Sequence, residues 1–229
     1  MNKNYLIIVP VRAGSVRVPN KNIRPFGLDK TSLLERKLKS LSQLQKNHDN
    51  VWVVVSTDSE EAKSIADKYD IGVDPRPSEL CQCSTKIEEL CHHFGNIATP
   101  DQHIVWAHVT HPFLDKNFYY NAMKLYEHAL TEGYDSLLTV RSDPEFLWDT
   151  KKAKPFNFPA GTWPRSQDLS NDIGIITHST YIASSNIHKN LHNRVGLVPY
   201  AMTVTNVEAM DIDTLEDFKL AEAYEHSIR

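Results

Sequence analysis

An unbroken apolar run, Tyr5-Leu6-Ile7-Ile8-Val9, stands near the start of the chain and limits its fold more than any other feature. A strand with one wet face alternates apolar and polar residues, so a run without alternation must be covered on both faces. It is also far short of the roughly 20 apolar residues of a membrane-crossing helix. The run therefore predicts a buried parallel strand with helices above and below. The following residues keep that rhythm. Ser32 can cap a helix in which Leu33, Leu34, Leu38, Leu41 and Leu44 recur at helical spacing. Residues 51–55 read as a second buried strand, and Ser59 opens a helix with Glu60 and Glu61 in its first turn. A short strand and loop in IGVDPRPSEL precede a helix at 85–94, a strand at 104–107, an amphipathic helix within 114–130 and a strand at 136–140. This order predicts an α/β fold, a mostly parallel sheet with helices on both faces. Further on, the pattern predicts a strand at 173–177, a short helix at 180–187, extended chain at 195–204 and a closing helix over about 214–226. No internal repeat is present.

The first strand stops at Pro10 and opens into a loop holding Arg12, Gly14, Ser15, Arg17, Lys21 and Asn22. Three cations on a small-residue turn can neutralise phosphate oxygens that would otherwise repel one another, and backbone can approach closely at glycine. The competing reading is a solvated basic loop. The C-terminal end of a central strand is where open α/β sheets bind ligands, which favours the first. Gly14 stands alone there, so the G-x-G-x-x-G fingerprint of a dinucleotide-binding dehydrogenase is missing. A net charge of -4 argues against a broad nucleic-acid surface and makes any polyphosphate site a local concentration of positive charge. The 229 residues suit one α/β domain, with or without a small insertion. The N-terminus has no signal-peptide pattern and no stretch reads as a membrane span. Cys81, Cys83 and Cys91 are an odd count that suits reduced thiols, so the expected setting is cytoplasmic, with no membrane partner. Their spacing to His92 and His93 matches no zinc pattern, and Cys91 is expected to face the core of its helix.

Two further constellations carry chemistry. In Asp211-Ile212-Asp213 the carboxylates of an extended segment point to one side. They repel unless a cation lies between them, and hard oxygen ligands suit Mg²⁺. Alternatively Asp213 caps the helix that starts at Thr214, which leaves Asp211 without a role. His108 and His111, in AHVTHPF, stand at the carboxyl end of the fourth strand, as ligand contacts or as satisfied structural groups. No Ser-His-Asp arrangement or other activated nucleophile is evident. From Ser142 to Trp163 the strand–helix rhythm breaks into an irregular segment rich in proline, lysine and aromatics. Such insertions are functional or interaction surfaces, or plain surface loops.

Six stretches then occur in order across nearly the whole chain: the opening strand and loop, STDSEEA, RPSEL, THPF, PRSQDL and AMDIDTLEDF. Together they resemble the cytidylyltransferases that make CMP-activated acidic sugars, the CMP-sialic acid synthetases (acylneuraminate cytidylyltransferases) and their legionaminic and pseudaminic acid relatives. The resemblance implies a Rossmann-like nucleotide-diphospho-sugar transferase fold, a single nucleotidyltransferase domain over residues 1–229, and an inserted dimerisation arm at about 142–170 that makes a homodimer. It implies transfer of CMP from CTP to the anomeric hydroxyl of an acidic 2-keto sugar, with release of pyrophosphate. By that resemblance Arg12, Arg17 and Lys21 hold the triphosphate and stabilise the leaving group, while Ser15 and Asn22 touch phosphate and ribose. Arg76 contacts the nucleotide and Thr85 reads cytosine through its backbone. His108, Arg165 and Gln167 lie on the sugar side, Arg165 as a bidentate carboxylate partner, and Asp211 and Asp213 hold Mg²⁺.

The chain departs from that family's pattern in places. Ala13-Gly14-Ser15-Val16-Arg17 stands where G-G-S-K-G is usual, and His108 replaces a sugar-side glutamine. Ile87 aligns with a cytosine-recognising serine, and Cys83 takes the place of an acid. His108 points to an acceptor differing from ordinary sialic acid. The rival readings are a same-fold nucleotidyltransferase using a phosphonate, a sugar phosphate or another nucleotide, and a catalytically inactive binding relative. Lys21, Asp211 and Asp213 argue against the latter, since a dead site has no physical reason to keep paired carboxylates.

Overall fold

The computed structural model describes residues 3–14, 17–142, 145–169 and 172–228. Ser15 therefore lies outside the described residues. Strand β1 (Asn4–Pro10) runs through the middle of the molecule, and every residue from Tyr5 to Val9 is buried. Helix α1 (Leu33–Asn47) follows, opened by a capping box in which the Ser32 hydroxyl accepts from the Glu35 amide and the Glu35 carboxylate accepts from the Ser32 amide. Such a cap stabilises a helix by about 1 kcal/mol. The alternation continues through β2 (Val51–Thr57), α2 (Glu60–Lys68), β3 (Gly72–Pro75), α3 (Ile87–Ile97), β4 (Gln102–Trp106), α4 (Lys116–Thr131) and β5 (Ser136–Arg141). The chain ends with β8 (Ile175–Ser184), α5 (Ser185–Leu191), β9 (Pro199–Thr203) and α6 (Leu215–Ser227).

Seven of the strands form one sheet in the order β3-β2-β1-β4-β8-β5-β9. β1 pairs in parallel with β2 and β4, β2 with β3, and β5 with β9, while β8 runs antiparallel between β4 and β5. Strand side chains alternate between two cores. Tyr5, Ile7 and Val9 join Leu34, Leu38, Ala62, Tyr119 and Phe218 on the face covered by α1, α2, α4 and α6. Leu6 and Ile8 join Cys91, Phe94, Trp106 and Tyr181 on the opposite face, against α3. α5 closes so tightly on α3 that a methyl group added at Gly95 would stand 2.6 Å from the Lys189 amide nitrogen.

The chain leaves β1 towards β2 on one side and returns to β4 on the other. That reversal opens a crevice at the carboxyl ends of β1 and β4. Lys37 braces its outer edge from within α1. It is 3% exposed, and its Nζ lies 3.0 Å from the carbonyls of His111 and Leu114 and from the Tyr119 hydroxyl.

The expectation of a helix at 180–187 is corrected. Residues 175–184 form β8, and only Ser185 onwards is helical. The register Val105↔Ile182 and Leu137↔Ile182 shows why: this stretch is sandwiched between two strands that each supply a hydrogen-bond ladder. The irregular segment carries a two-stranded ribbon, β6 (Trp148–Asp149) with β7 (Lys154–Pro155). Beside it Phe146 stacks on Trp163 at 5.2 Å and Phe158 meets both rings edge-on. Trp148, Phe156 and Trp163 remain largely exposed.

Candidate active site

The loop after β1 is held by its neighbours. The Ala13 amide donates to the Asp58 carboxylate at 2.8 Å, tying it to the end of β2, and Val18 is buried as its anchor. Gly14 adopts φ +72°, a left-handed backbone that a side chain would strain, with open space around it. Hydrogen bonds from the Lys21 amide to Val18, and from the Ile23 and Arg24 amides to Asn20, coil the rest of the loop into a turn. Its end is fastened to α1, whose Leu34 amide donates to the Asn22 carbonyl.

These anchors aim the side chains into a cleft of about 290 Å³, whose walls include Arg12, Arg17, Lys21, Asn22, Arg76, Ile87, Trp106 and His108. Arg76 is 6% exposed and reaches the cleft through a relay. Its guanidinium donates to the Ser56 hydroxyl and carbonyl, and that hydroxyl donates to Asp74. Asp74 in turn meets His93 at 2.8 Å. Burial by itself would raise the Asp74 carboxyl, but the hydrogen bonds from His93 and Ser56 outweigh it and hold the group below its usual range. Arg12 points its guanidinium at the Cys83 sulfur, 3.1 Å away.

The far end of the chain closes the cleft edge. Lys21 donates to the Ile212 carbonyl at 2.5 Å and lies 3.4 Å from Asp213. Arg17 pairs with the same Asp213 oxygen at 2.9 Å. Ile212 is fully buried, which fixes the segment between the two carboxylates. Asp213 does not cap the last helix. Thr214 does, in a capping box with Asp217, whose carboxylate also accepts from the Asp213 amide.

Asp211 has a buried oxygen with no hydrogen-bond partner among the described residues, 3.9 Å from the Nδ1 of His111, which has none among them either. His111 uses its other nitrogen to bond the Thr177 carbonyl. Burial lowers its pKa, with the Asp211 charge opposing. His108 has an unpartnered buried Nε2, and its pKa is driven well down by burial and then by the charge of Arg194. Trp106, the apolar wall, is locked by its own hydrogen bond from Nε1 to His188 at 2.8 Å.

The structure thus brings Arg12, Arg17, Lys21, Asn22, Arg76 and His108 to one cleft, with Asp213 paired at its edge. Thr85 stands just before α3, its hydroxyl bonded to the Glu79 carbonyl, and is not on the cleft wall. Arg165 and Gln167 lie on an exposed turn of the irregular segment, Arg165 forked onto Asp168 at 2.7 and 2.9 Å, and neither lines the cleft of its own chain. Trp106 and Arg194 belong to the neighbourhood and were not legible as such. Trp106 reads as core from its place in an apolar strand, and Arg194 is a single charge in a polar loop.

Chemically, the cleft concentrates four cations beside the Asp213 carboxylate and an apolar wall. That combination suits a polyphosphate with a flat base, and the described residues of its lining include no serine or cysteine. A family model described as cytidylyltransferase matches residues 6–158. Among curated proteins, the N-acylneuraminate cytidylyltransferase of Escherichia coli O18:K1:H7 (strain RS218 / NMEC) is 27% identical over 231 residues, covering 96% of this chain. The chain spans only 52% of that protein's length. The fold recurs in the 4-diphosphocytidyl-2C-methyl-D-erythritol synthase of Anaerococcus prevotii DSM 20548 (TM-score 0.66, 14% identity, 97% of this chain and 99% of that one). It recurs also in a CMP:2-keto-3-deoxy-manno-octonic acid synthetase solved with CTP (TM-score 0.63, 11% identity, 99% and 100%). A cytidylyltransferase from Leptospira borgpetersenii shares it as well (TM-score 0.55, 19% identity, 96% and 85%).

Proposed function

The chain belongs to the cytidylyltransferase family, and from that premise we propose that it transfers CMP from CTP to the anomeric hydroxyl of an acidic 2-keto sugar, releasing pyrophosphate. The observation that carries the proposal is the convergence of Arg12, Arg17, Lys21 and Arg76 on one cleft, onto which the Asp211–Ile212–Asp213 segment docks through Lys21 and Arg17. The names of the E. coli relative and of the synthetase solved with CTP support an acidic sugar as the acceptor class.

Direct displacement at the α-phosphate asks for alignment and charge neutralisation rather than covalent help. Arg12, Arg17 and Lys21 face the β- and γ-phosphates and neutralise the charge that builds on departing pyrophosphate. Ser15, on the same loop, and Asn22, whose buried Oδ1 has no partner, supply polar contacts to phosphate and ribose. Trp106 and Ile87 give the base an apolar bed, and Arg76, fixed by Ser56, holds the nucleotide from the β2 side. Thr85 reads cytosine through its backbone.

Asp211 and Asp213 fit a Mg²⁺ ion in donor chemistry: both are hard oxygen donors two residues apart, and a buried Asp211 oxygen lacks any hydrogen-bond partner among the described residues. When bound there, Mg²⁺ would polarise phosphoryl oxygens and help orient the sugar hydroxyl. Arrival of the triphosphate gives Arg17 and Lys21 stronger anions than Asp213, which releases that carboxylate. His108 contacts the acceptor. The exposed aromatics Trp148, Phe156 and Trp163 make the irregular segment the arm of a homodimer, which carries Arg165 and Gln167 to the sugar side of the partner's cleft. Among the described residues no helix is long and apolar enough to cross a membrane. A cytoplasmic setting is proposed because CTP and the free thiols Cys81, Cys83 and Cys91 fit a reducing compartment.

The test is pyrophosphate release with each of the four nucleoside triphosphates and Mg²⁺ against a panel of keto-sugar acids. CTP with at least one acid should react, and Asp211→Ala should slow it at least about tenfold. Release with no acid, or with another triphosphate only, overturns the proposal.

A further inference from the structure

Arg194, in the loop between α5 and β9, is a half-buried cation with no carboxylate in ion-pair range among the described residues. Its guanidinium lies 3.9 Å from the centre of the Tyr181 ring and 5.1 Å from that of Trp106. Its polar contacts are the Nδ1 of His178 at 3.3 Å and the Tyr181 hydroxyl at 3.4 Å. The same Nδ1 lies 2.5 Å from that hydroxyl. With the guanidinium and the Tyr181 hydroxyl meeting Nδ1, the neutral ring carries its proton on Nε2, turned away from them, and His178 serves to hold the guanidinium in place. His178 is exposed and Arg194 half-buried, and the two lie behind Trp106 rather than on the cleft lining itself.

A half-buried guanidinium without an anion gives up part of its hydration, and aromatic faces offset only some of that loss. Arg194 is also the charge that acts most strongly on His108, which lines the cleft. Trp106 is shared: its indole forms the cleft wall and the surface on which Arg194 packs. Sheet order separates this cation from the phosphate loop. The loop follows β1, whereas Arg194 bridges Trp106 of β4 and Tyr181 of β8, one and two strands further on, about 5–10 Å away. One anion at the loop therefore leaves room for another beyond Trp106. Arg165, the other arginine considered for an acceptor carboxylate, is exposed and already forked onto Asp168.

We propose that Arg194, positioned by His178 and Tyr181, forms a separate anion subsite that takes the carboxylate of the acceptor sugar. This rests on the reading of the cleft as that of a CMP transferase to an acidic sugar. It adds that the acceptor's charge is bound within the same chain, at the β4–β8 side of the cleft.

The test needs no turnover. With CMP present, binding of N-acetylneuraminate, 2-keto-3-deoxy-manno-octonate and pyruvate is compared with binding of their methyl esters by calorimetry or saturation-transfer NMR. At least one acid should bind the native chain tenfold or more tighter than its ester. Arg194→Gln should erase that preference while leaving CMP affinity within twofold, and Arg194→Lys should restore part of it. His178 adopts φ 57°, which asparagine tolerates, so His178→Asn keeps the backbone and should weaken the acid severalfold. The proposal is overturned if acid and ester bind the native chain alike, if the preference survives Arg194→Gln, or if CMP binding falls in step with it. Absence of CMP transfer would count against the proposed reaction, and the acid–ester comparison would still decide this subsite.

Discussion

Replacing Lys37 by methionine tests how the cleft's outer edge is held. The lysine is 3% exposed, yet no carboxylate touches it; its partners are two carbonyls and the Tyr119 hydroxyl, each at 3.0 Å. Burial pushes its pKa down to about 7, with the charge of Asp115 opposing. In the unfolded chain the same amine keeps its proton to about pH 10.4. Between those values the unfolded state binds more protons, so stability rises with pH; below about 7 both states are protonated and the full burial penalty applies. From pH 7.5 to 8.5 the folded lysine is mostly neutral and the unfolded one almost fully charged, which gives a rise of about 1 kcal/mol. Lys37→Met removes the proton but strands two buried carbonyls, at about 1–3 kcal/mol each, so the variant should be less stable throughout. Its deficit should grow by about 1 kcal/mol over that pH range, because only the native chain gains from losing the proton. Urea unfolding followed by tryptophan fluorescence at pH 7.5, 8.0 and 8.5 reads the difference. Burial also raises the Cys91 thiol to about 12, but that group is common to both chains and cancels. Parallel stability curves for the two chains would refute the reasoning.

Three further outcomes are expected. Lys21→Met, at a side chain only 12% exposed, should lower kcat/KM for CTP by roughly 10- to 100-fold, the worth of one lost charge-assisted hydrogen bond, and should also cost about 1–3 kcal/mol in urea unfolding because the Ile212 carbonyl loses its donor. Gly95→Ala would raise the propensity of an ordinary helix, but here the new methyl meets the Lys189 backbone at 2.6 Å, so a loss of about 1–3 kcal/mol in urea unfolding is expected. Trp163→Ser removes a 75% exposed ring stacked on Phe146 and should shift a dimer towards monomer in sedimentation velocity while leaving monomer stability nearly unchanged.

Much of this was legible in advance because local chemistry decided it. Tyr5 to Val9 cannot tolerate a wet face, and Ser32 and Ser59 offer the first helices the caps they use. The basic loop ends up in the crevice because a central strand leads into it. What stayed hidden depended on partners distant in sequence. Thr180 to Ser184 is a short apolar stretch whose period does not separate helix from strand. Its fate is set by ladders from β4 and β5, which also make β8 antiparallel in a sheet whose strand–helix rhythm predicts parallel pairing. For Asp213 the sequence favours ligand over cap because of Asp211 but leaves both open; the structure gives the cap to Thr214 and pairs Asp213 with Arg17. Arg194 carries no local signal; its meaning comes from Tyr181 and Trp106, and from the anion it lacks.

Label transfer tests the central claim most directly. The purified chain is incubated with Mg²⁺, the keto-sugar acids and CTP labelled with ³²P at either the α- or the γ-phosphate. The account predicts that α-label moves into a sugar-linked CMP product while γ-label leaves as pyrophosphate. Label released as inorganic phosphate, γ-label on the sugar, or no transfer to any acid would contradict it.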